Sequence, residues 1–299
     1  MTHRTLSLAV LAAALVGCSK SGPEPSGRPG DPAQPPEAAD PNATLTITIR
    51  EPHKGDVARI VKNRKGAVSA TSMNATQTQY DVLRLDYIET VLEAAAGEPP
   101  VKLSREYKVA ERSDPKGEMT NLPFTGKTVT AERIVSSYTY AIDGKMVSPA
   151  EKRELDPEFT GGRGNFEGML PKAPVKVGQT WAVDLAAVRA LAGSTPFEYH
   201  KEKSRATGKL VRAYKKDGQQ RGVIEWKIDL VFDTHATNGS PITGSLPSTV
   251  TYDGVIDGSS RAGTMKVTLK GSIDHRDVIG HEVKTTIEGT QEQTVTPVK

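Results

Sequence analysis

Few side chains in this sequence stand at the spacings that chemistry requires. The six histidines are His3, His53, His200, His235, His275 and His281. Two imidazoles on one helix bind zinc when they sit four residues apart, and no pair here does so. The densest polar cluster is Asp274-His275-Arg276-Asp277, with His281 close by. It falls between two strand-like runs and reads as a solvated turn rather than a metal site. A nucleophile elbow needs Gly-x-Ser-x-Gly between a strand and a helix, and neither Gly239-Ser240-Pro241 nor Gly258-Ser259-Ser260 has that spacing. A Ser-His-Asp set assembled from distant positions stays open. In Gly162-Arg163-Gly164-Asn165-Phe166-Glu167-Gly168 the last glycine comes one residue too late for a dinucleotide loop, and no strand feeds the segment. Glu225 and Asp229 share one face of a strand, where charge ordinarily meets solvent rather than a glycosidic bond. The expectation is no catalytic residue, no metal and no cofactor.

The first forty residues give an address. A short basic start with Arg4 precedes an apolar run from Leu6 to Val16, too short at about eleven residues to span a bilayer but suited to a signal-peptide core. Leu15-Val16-Gly17-Cys18 follows, and it resembles the lipobox of bacterial lipoproteins. There the cysteine is diacylated and the chain is cut just before it. Cys18 is the single cysteine of 299 residues, so no disulfide is available and this thiol has one evident use. The resemblance implies a signal peptide over residues 1–17 and a membrane anchor on Cys18. Ser19 rather than aspartate after it favours the outer membrane over the inner one. Residues 18–43 hold seven prolines and three glycines but no large apolar side chain, so they read as a disordered tether. Its reach is roughly 25 Å as a coil and 75 Å as polyproline.

From Thr44 onward period two dominates. TLTITIR (44–50), GVIEWKIDLVFD (222–233), TVTYDGVI (249–256), TMKVTLKGSI (264–273) and EVKTTIEGT (282–290) alternate apolar with polar residues, as half-buried antiparallel strands do. Asp-Gly pairs at 143–144, 217–218, 253–254 and 257–258 suggest hairpin turns. Ser148-Pro149-Ala150-Glu151 predicts a capped short helix to about Phe159, and residues 184–191 predict two further turns. Residues 80–96 fit a helical face but sit in strand-like surroundings, and are read as strand. The fold class is mainly β, with curved antiparallel sheet and one or two short helices. A glycine turn ahead of an apolar-polar strand occurs at Lys54-Gly55-Asp56-Val57 and again at Val177-Gly178-Gln179-Thr180-Trp181. The folded region 44–299 is therefore either one unit or two similar half-domains or half-barrels, 44–170 and 171–299.

LPKAPVKVGQTWAVDL (170–185), with YIETVLEAAAGEPPVKLSREYKVAE (87–111), resembles a family of bacterial envelope lipoproteins of unknown function. The likeness rests on the glycine-tryptophan spacing and on Arg105-Glu106-Tyr107. It implies a curved β fold, like the half-barrels that carry acyl chains, and it brings no catalytic residues. Trp181 and Trp226 have two readings, as the lining of an apolar ligand cavity or as core anchors.

The net charge of +3 and the lack of basic stripes with interleaved aromatics argue against a nucleic-acid partner. The expected function is a non-enzymatic binding or scaffolding module, anchored through Cys18, for a lipid or other apolar ligand or for an envelope protein. A hydrolase acting on envelope polymer or lipid is the alternative, and a structural protein–protein contact element is a third reading.

Overall fold

The computed structural model describes residues 37–38, 40, 42–95, 98–114, 117–135, 137–160, 166–192, 199–235, 240–277 and 279–298. The signal peptide, the lipobox Leu15-Val16-Gly17, Cys18 and most of the tether lie outside the described residues. So does the glycine-rich loop at 161–165.

A two-residue strand β1 (Glu37–Ala38) opens the described chain. The long strands β2 (Val57–Ser72), β3 (Ala75–Glu93) and β4 (Lys102–Ser113) follow, then the shorter β5 (Met119–Asn121), β6 (Thr128–Ile134), β7 (Ser137–Ile142) and β8 (Lys145–Met146). Helix α1 (Pro149–Thr160), a 3-10 turn (Phe166–Met169), β9 (Thr180–Ala182) and helix α2 (Leu185–Ala192) form the middle. Five more strands end the chain: β10 (Arg205–Lys216), β11 (Gln219–His235), β12 (Pro241–Val255), β13 (Gly263–Arg276) and β14 (Glu282–Pro297).

All of these strands belong to one antiparallel sheet, in the order β1-β10-β11-β12-β13-β14-β2-β3-β4-β6-β7-β8, with β9 on β10 and β5 on β4. Hairpin succession explains most of that order. The exceptions are β1 on β10 and the return of β14 to β2, the latter paired from Lys284↔Thr71 to Pro297↔Ala58. That seam makes one sheet of the two halves of the chain.

One face of the sheet is apolar because the side chains alternate. On β11 the even positions Ile224, Trp226, Ile228, Leu230 and Phe232 are buried, while Lys227 and Asp229 between them are exposed. The buried face carries two cores. One contains Ile60, Leu83, Leu85, Tyr107, Phe124, Tyr140, Leu155 and Phe159, and α1 contributes to it. The other contains Leu210, Trp226, Phe232, Leu246, Val267 and Ile287, with Met169 and Val188 packed onto it. Along the chain the cores divide between Phe159 and Met169, with Ile47 joining the second and Val295 packing on the first.

Curvature has a local cause. An added Cβ on Gly271 would lie 2.2 Å from the Ser245 carbonyl oxygen, and one on Gly244 would lie 2.2 Å from that of Ser272. Regular pairing of β12 with β13 lapses between Ser245↔Ser272 and Ser248↔Leu269, beside Pro247, which has no N–H to donate. Two bare glycine backbones let the strands close in at this bend.

Several sequence expectations meet the fold directly. Residues 80–93 are strand, and α1 and α2 stand where helices are expected. Asp143-Gly144 and Asp217-Gly218 have positive φ at both positions, as a type I′ turn demands. Two expectations need correction. Asp253-Gly254 lies within β12 and makes no turn; the glycine is needed because an added Cβ would meet the Tyr252 ring at 2.3 Å. TLTITIR is not a strand of the sheet. Among the described residues its backbone finds only isolated bridges at Leu45↔Val175 and Thr48↔Asp257, while Ile47 is buried.

Candidate functional site

The β14–β2 seam places charge inside the apolar face. Lys62 and Arg64 alternate on the buried side of β2, opposite Gln293 and Gln291 of β14 and opposite Leu85 and Leu83 of β3. Two rows further along β2, Ala58 pairs with Glu89, which pairs in turn with Arg105 of β4. The same alternation that builds the cores therefore points these side chains inward.

Ion pairs tie this polar strip to α1. Lys62 Nζ donates to Glu158 Oε2 at 2.7 Å, Arg105 Nη1 donates to the Glu158 carbonyl at 3.1 Å, and Arg112 pairs with Glu154. Arg64 Nε donates to Asp81 Oδ2 at 2.6 Å. The Arg105 guanidinium lies 4.0 Å from the Phe159 ring centroid and 4.7 Å from that of Tyr87, two cation–π contacts that favour charge away from water. Glu89 is shared: Oε2 accepts from Arg105 Nε at 3.2 Å, and Oε1 accepts from Arg261 Nη2 at 3.1 Å. Arg261 belongs to the segment joining β12 to β13, so this buried carboxylate links the two halves of the chain a second time.

The electrostatics follow from the geometry. Burial opposes charge on Glu158, but Lys62, Arg64 and Arg105 outweigh it and hold the carboxyl down at about 2. Glu89 is likewise opposed by burial and kept below the usual carboxylate range by Arg105 and Arg261. Lys62 is lowered, because loss of water outweighs the attraction of Glu158. Tyr107 is pushed up to about 12 by burial. Four cations (Lys62, Arg64, Arg105 and Arg261) thus face two fully buried carboxylates, with Asp81 as a half-exposed third.

Some of the polar capacity is unused. Gln291 is 1% exposed, yet neither its amide nitrogen nor its amide oxygen has a hydrogen-bond partner among the described residues. Glu158 Oε1 and Arg261 Nη1 are buried in the same condition. Each such atom costs about 1–3 kcal/mol when nothing satisfies it. Half-buried apolar side chains flank the strip, with Met265 and Val68 at the edge of one core and Val295 at the edge of the other.

No family model matches the chain, and no curated protein matches it in sequence.

Apart from Arg105, the residues singled out from the sequence lie elsewhere. Trp226 is 0% exposed and Trp181 is half-buried in the second core. Both indole N–H groups donate to the Met169 carbonyl at 2.9 Å, so one peptide oxygen fixes both rings. An added Cβ on Gly208 would lie 2.3 Å from the Trp181 ring, which rests on bare backbone. Asp277 closes its turn by accepting from the N–H groups of Ile279 and His281. His275 Nε2 lies 3.2 Å from Thr285 Oγ1, but Thr285 is buried and His275 Nδ1 faces a carbonyl rather than a carboxylate. Arg105 and Tyr107 of the Arg105-Glu106-Tyr107 stretch point into the core, and Glu106 points out.

Sequence reasoning missed Lys62, Arg64, Glu89, Glu158, Arg261 and Gln291. The available signal was charge on apolar alternation: Ala58-Ile60-Lys62-Arg64 runs straight from buried alkyl groups into cations.

Proposed function

We propose that this chain is a membrane-anchored envelope lipoprotein whose β domain is a non-enzymatic binding module for an amphiphile. The polar group of the ligand docks at the β14–β2 seam. One observation carries the reading: Gln291 is buried with a free donor and a free acceptor, in a strip that also holds the open Glu158 Oε1. Buried amides are ordinarily hydrogen-bonded, so the open Gln291 amide marks a place where a ligand group or an ordered water would be held. The open Glu158 Oε1 needs a donor and the open Arg261 Nη1 an acceptor, which favours a strongly polar ligand group that both donates and accepts. Met265, Val68 and Val295 supply apolar contact for the rest of the molecule.

The anchor on Cys18 and the outer-membrane location belong to the same proposal and are supported by the sequence Leu15-Val16-Gly17-Cys18-Ser19. They place the domain where amphiphiles are abundant.

Native mass spectrometry of the full chain, released from membranes in mild detergent, tests the reading. The expected spectrum shows a bound mass that solvent extraction identifies as an amphiphile with a strongly polar group. A chain carrying nothing beyond its own lipid contradicts it.

A further inference from the structure

Among the described residues the sheet leaves a stretch of strand edge open. β3 pairs with β2 from Ser72↔Ala75 to Val57↔Thr90 without a break in register. β4 reaches β3 only from Leu83↔Arg112 onward. The part of β3 from Ala75 to Val82 therefore has no strand on its outer side. The outer rims of the sheet are overlaid instead, β10 by β9 and β1, and β7 by β8. Alternation says which groups stay open. The Val82 N–H points outward, donating to Ser113 Oγ at 2.9 Å. In an antiparallel strand every second residue turns both its N–H and its C=O to the same neighbour, so Thr76, Thr78 and Tyr80 present theirs on the open side.

This stretch lacks the features that keep further strands away. Exposed edges are ordinarily guarded by lysine, proline or a bulge. Ala75-Thr76-Gln77-Thr78-Gln79-Tyr80 has none of these and no charge of either sign. Each of these residues is exposed, Tyr80 by 59%. Thr76, Thr78 and Tyr80 share the outer face of the sheet, on the side away from buried Leu83 and Leu85. Ser69 Oγ lies 2.9 Å from Thr78 Oγ1, and Thr71 Oγ1 lies 2.9 Å from Thr76 Oγ1, so paired hydroxyls already run from β2 to the rim.

We propose that two copies of the chain join through this edge, β3 against β3, antiparallel across a two-fold axis at Thr78. The inference stands apart from the amphiphile site and from the anchor. The open stretch is bounded by the Met73-Asn74 turn on one side and by the pairing of Arg112 with Leu83 on the other, and these limits fix the register. With Thr78 opposite the partner's Thr78, Thr76 faces the partner's Tyr80, and every outward N–H and C=O of Thr76, Thr78 and Tyr80 is used. The turn of each copy then arrives where β4 of the other ends. A shift of two residues one way leaves Tyr80 opposite the turn. The opposite shift sets Thr76 against Val82, whose N–H is already taken by Ser113. Side chains select a second copy over an unrelated peptide. Threonine meets threonine and threonine meets tyrosine, pairings that support strand association, and no like charges face each other. An uncharged edge gives a cationic or anionic peptide nothing to match. The ladder is short, so the dimer is a weak one that forms at high protein concentration.

The test follows the full chain in mild detergent by sedimentation velocity over a concentration series. The expected result is a reversible monomer–dimer equilibrium for the wild type and monomer alone for Thr78→Lys, which sets two ammonium groups face to face on the axis. Thr78 is exposed, and circular dichroism checks that the variant keeps its strands. Linking with a short bismaleimide reads the register without the lysine variant, and the wild type controls for Cys18. Thr78→Cys should link to itself readily. Thr76→Cys should link far less, because the two copies of that position stand about 14 Å apart along the strands. Monomer at every concentration, a dimer that survives Thr78→Lys, or equal linkage at 76 and 78 overturns the inference. Linkage of Thr78→Cys in whole cells to a different protein, and not to itself, also overturns it and assigns the edge to that protein.

Discussion

At the scale of single residues, Glu158 shows how much the fold depends on charge inside it. Its carboxyl sits at about 2 in the folded chain, against about 4.3 for an unfolded glutamate. A depressed carboxylate stabilises the fold fully above the unfolded value, and that contribution disappears as pH falls through the folded one. The difference between the two values corresponds to roughly 3 kcal/mol. Urea titrations should therefore show stability falling steeply between about pH 4 and pH 2, with Glu89 adding in the same direction. Glu158→Gln should flatten that slope. It should also lower stability at pH 7 by about 3–5 kcal/mol, because Lys62 is left buried without its counter-charge. An unchanged acid limb in the variant would assign the slope to other groups. Neither Glu158 nor Lys62 belonged to a recognisable motif. The apolar alternation leading into Lys62 and Arg64 hints at buried charge, but their partner Glu158 is found only once the position of α1 is known.

At the scale of elements, local chemistry was the most legible. Ser148 Oγ accepts from the Glu151 N–H at 3.3 Å, and Glu151 Oε2 accepts from the Ser148 N–H at 2.8 Å, the reciprocal capping box that the sequence announces. Ser148→Ala should cost about 1 kcal/mol in thermal or chemical denaturation. The cost should be felt by the first core, because α1 delivers Leu155 and Phe159 to it. Alternation identified the long strands for the same reason, since one side meets apolar groups and the other meets water. The same rule misled at TLTITIR, whose alternation reports burial of one face and says nothing about whether the backbone finds a ladder. Close approaches were invisible as well. Gly271→Ala would push a methyl group against the Ser245 carbonyl and should cost about 1–3 kcal/mol or more. Gly66→Ala, whose nearest neighbour would lie at 3.4 Å, should be far milder in the same assay.

For the whole molecule, the decisive contact is the pairing of the last strand with the first long one. Nothing local in the sequence specifies it, so the choice between one unit and two half-domains could not be made there. The ladder from Lys284↔Thr71 to Pro297↔Ala58 and the buried bridge from Arg261 to Glu89 join the halves at both sheet and side-chain level. Scanning calorimetry should accordingly give one cooperative transition for the domain, and two separable transitions would mean that the seam is weak. Folding should be slow, because β14 must find β2 across more than 200 residues of intervening chain. The seam that unites the halves is also where the polar strip lies, so joining the sheet and building the site are one structural event.

The central claim is that Gln291 awaits a ligand, and comparing the wild-type full chain with Gln291→Leu by native mass spectrometry and thermal denaturation tests it most directly. Leucine nearly matches glutamine in volume and removes both orphaned atoms, so the ligand-free variant should be at least as stable as the wild type. The account predicts a bound amphiphile on the wild type and a clear loss of occupancy in the variant at unchanged or higher ligand-free stability. Equal occupancy in both chains, or none in either, would contradict it.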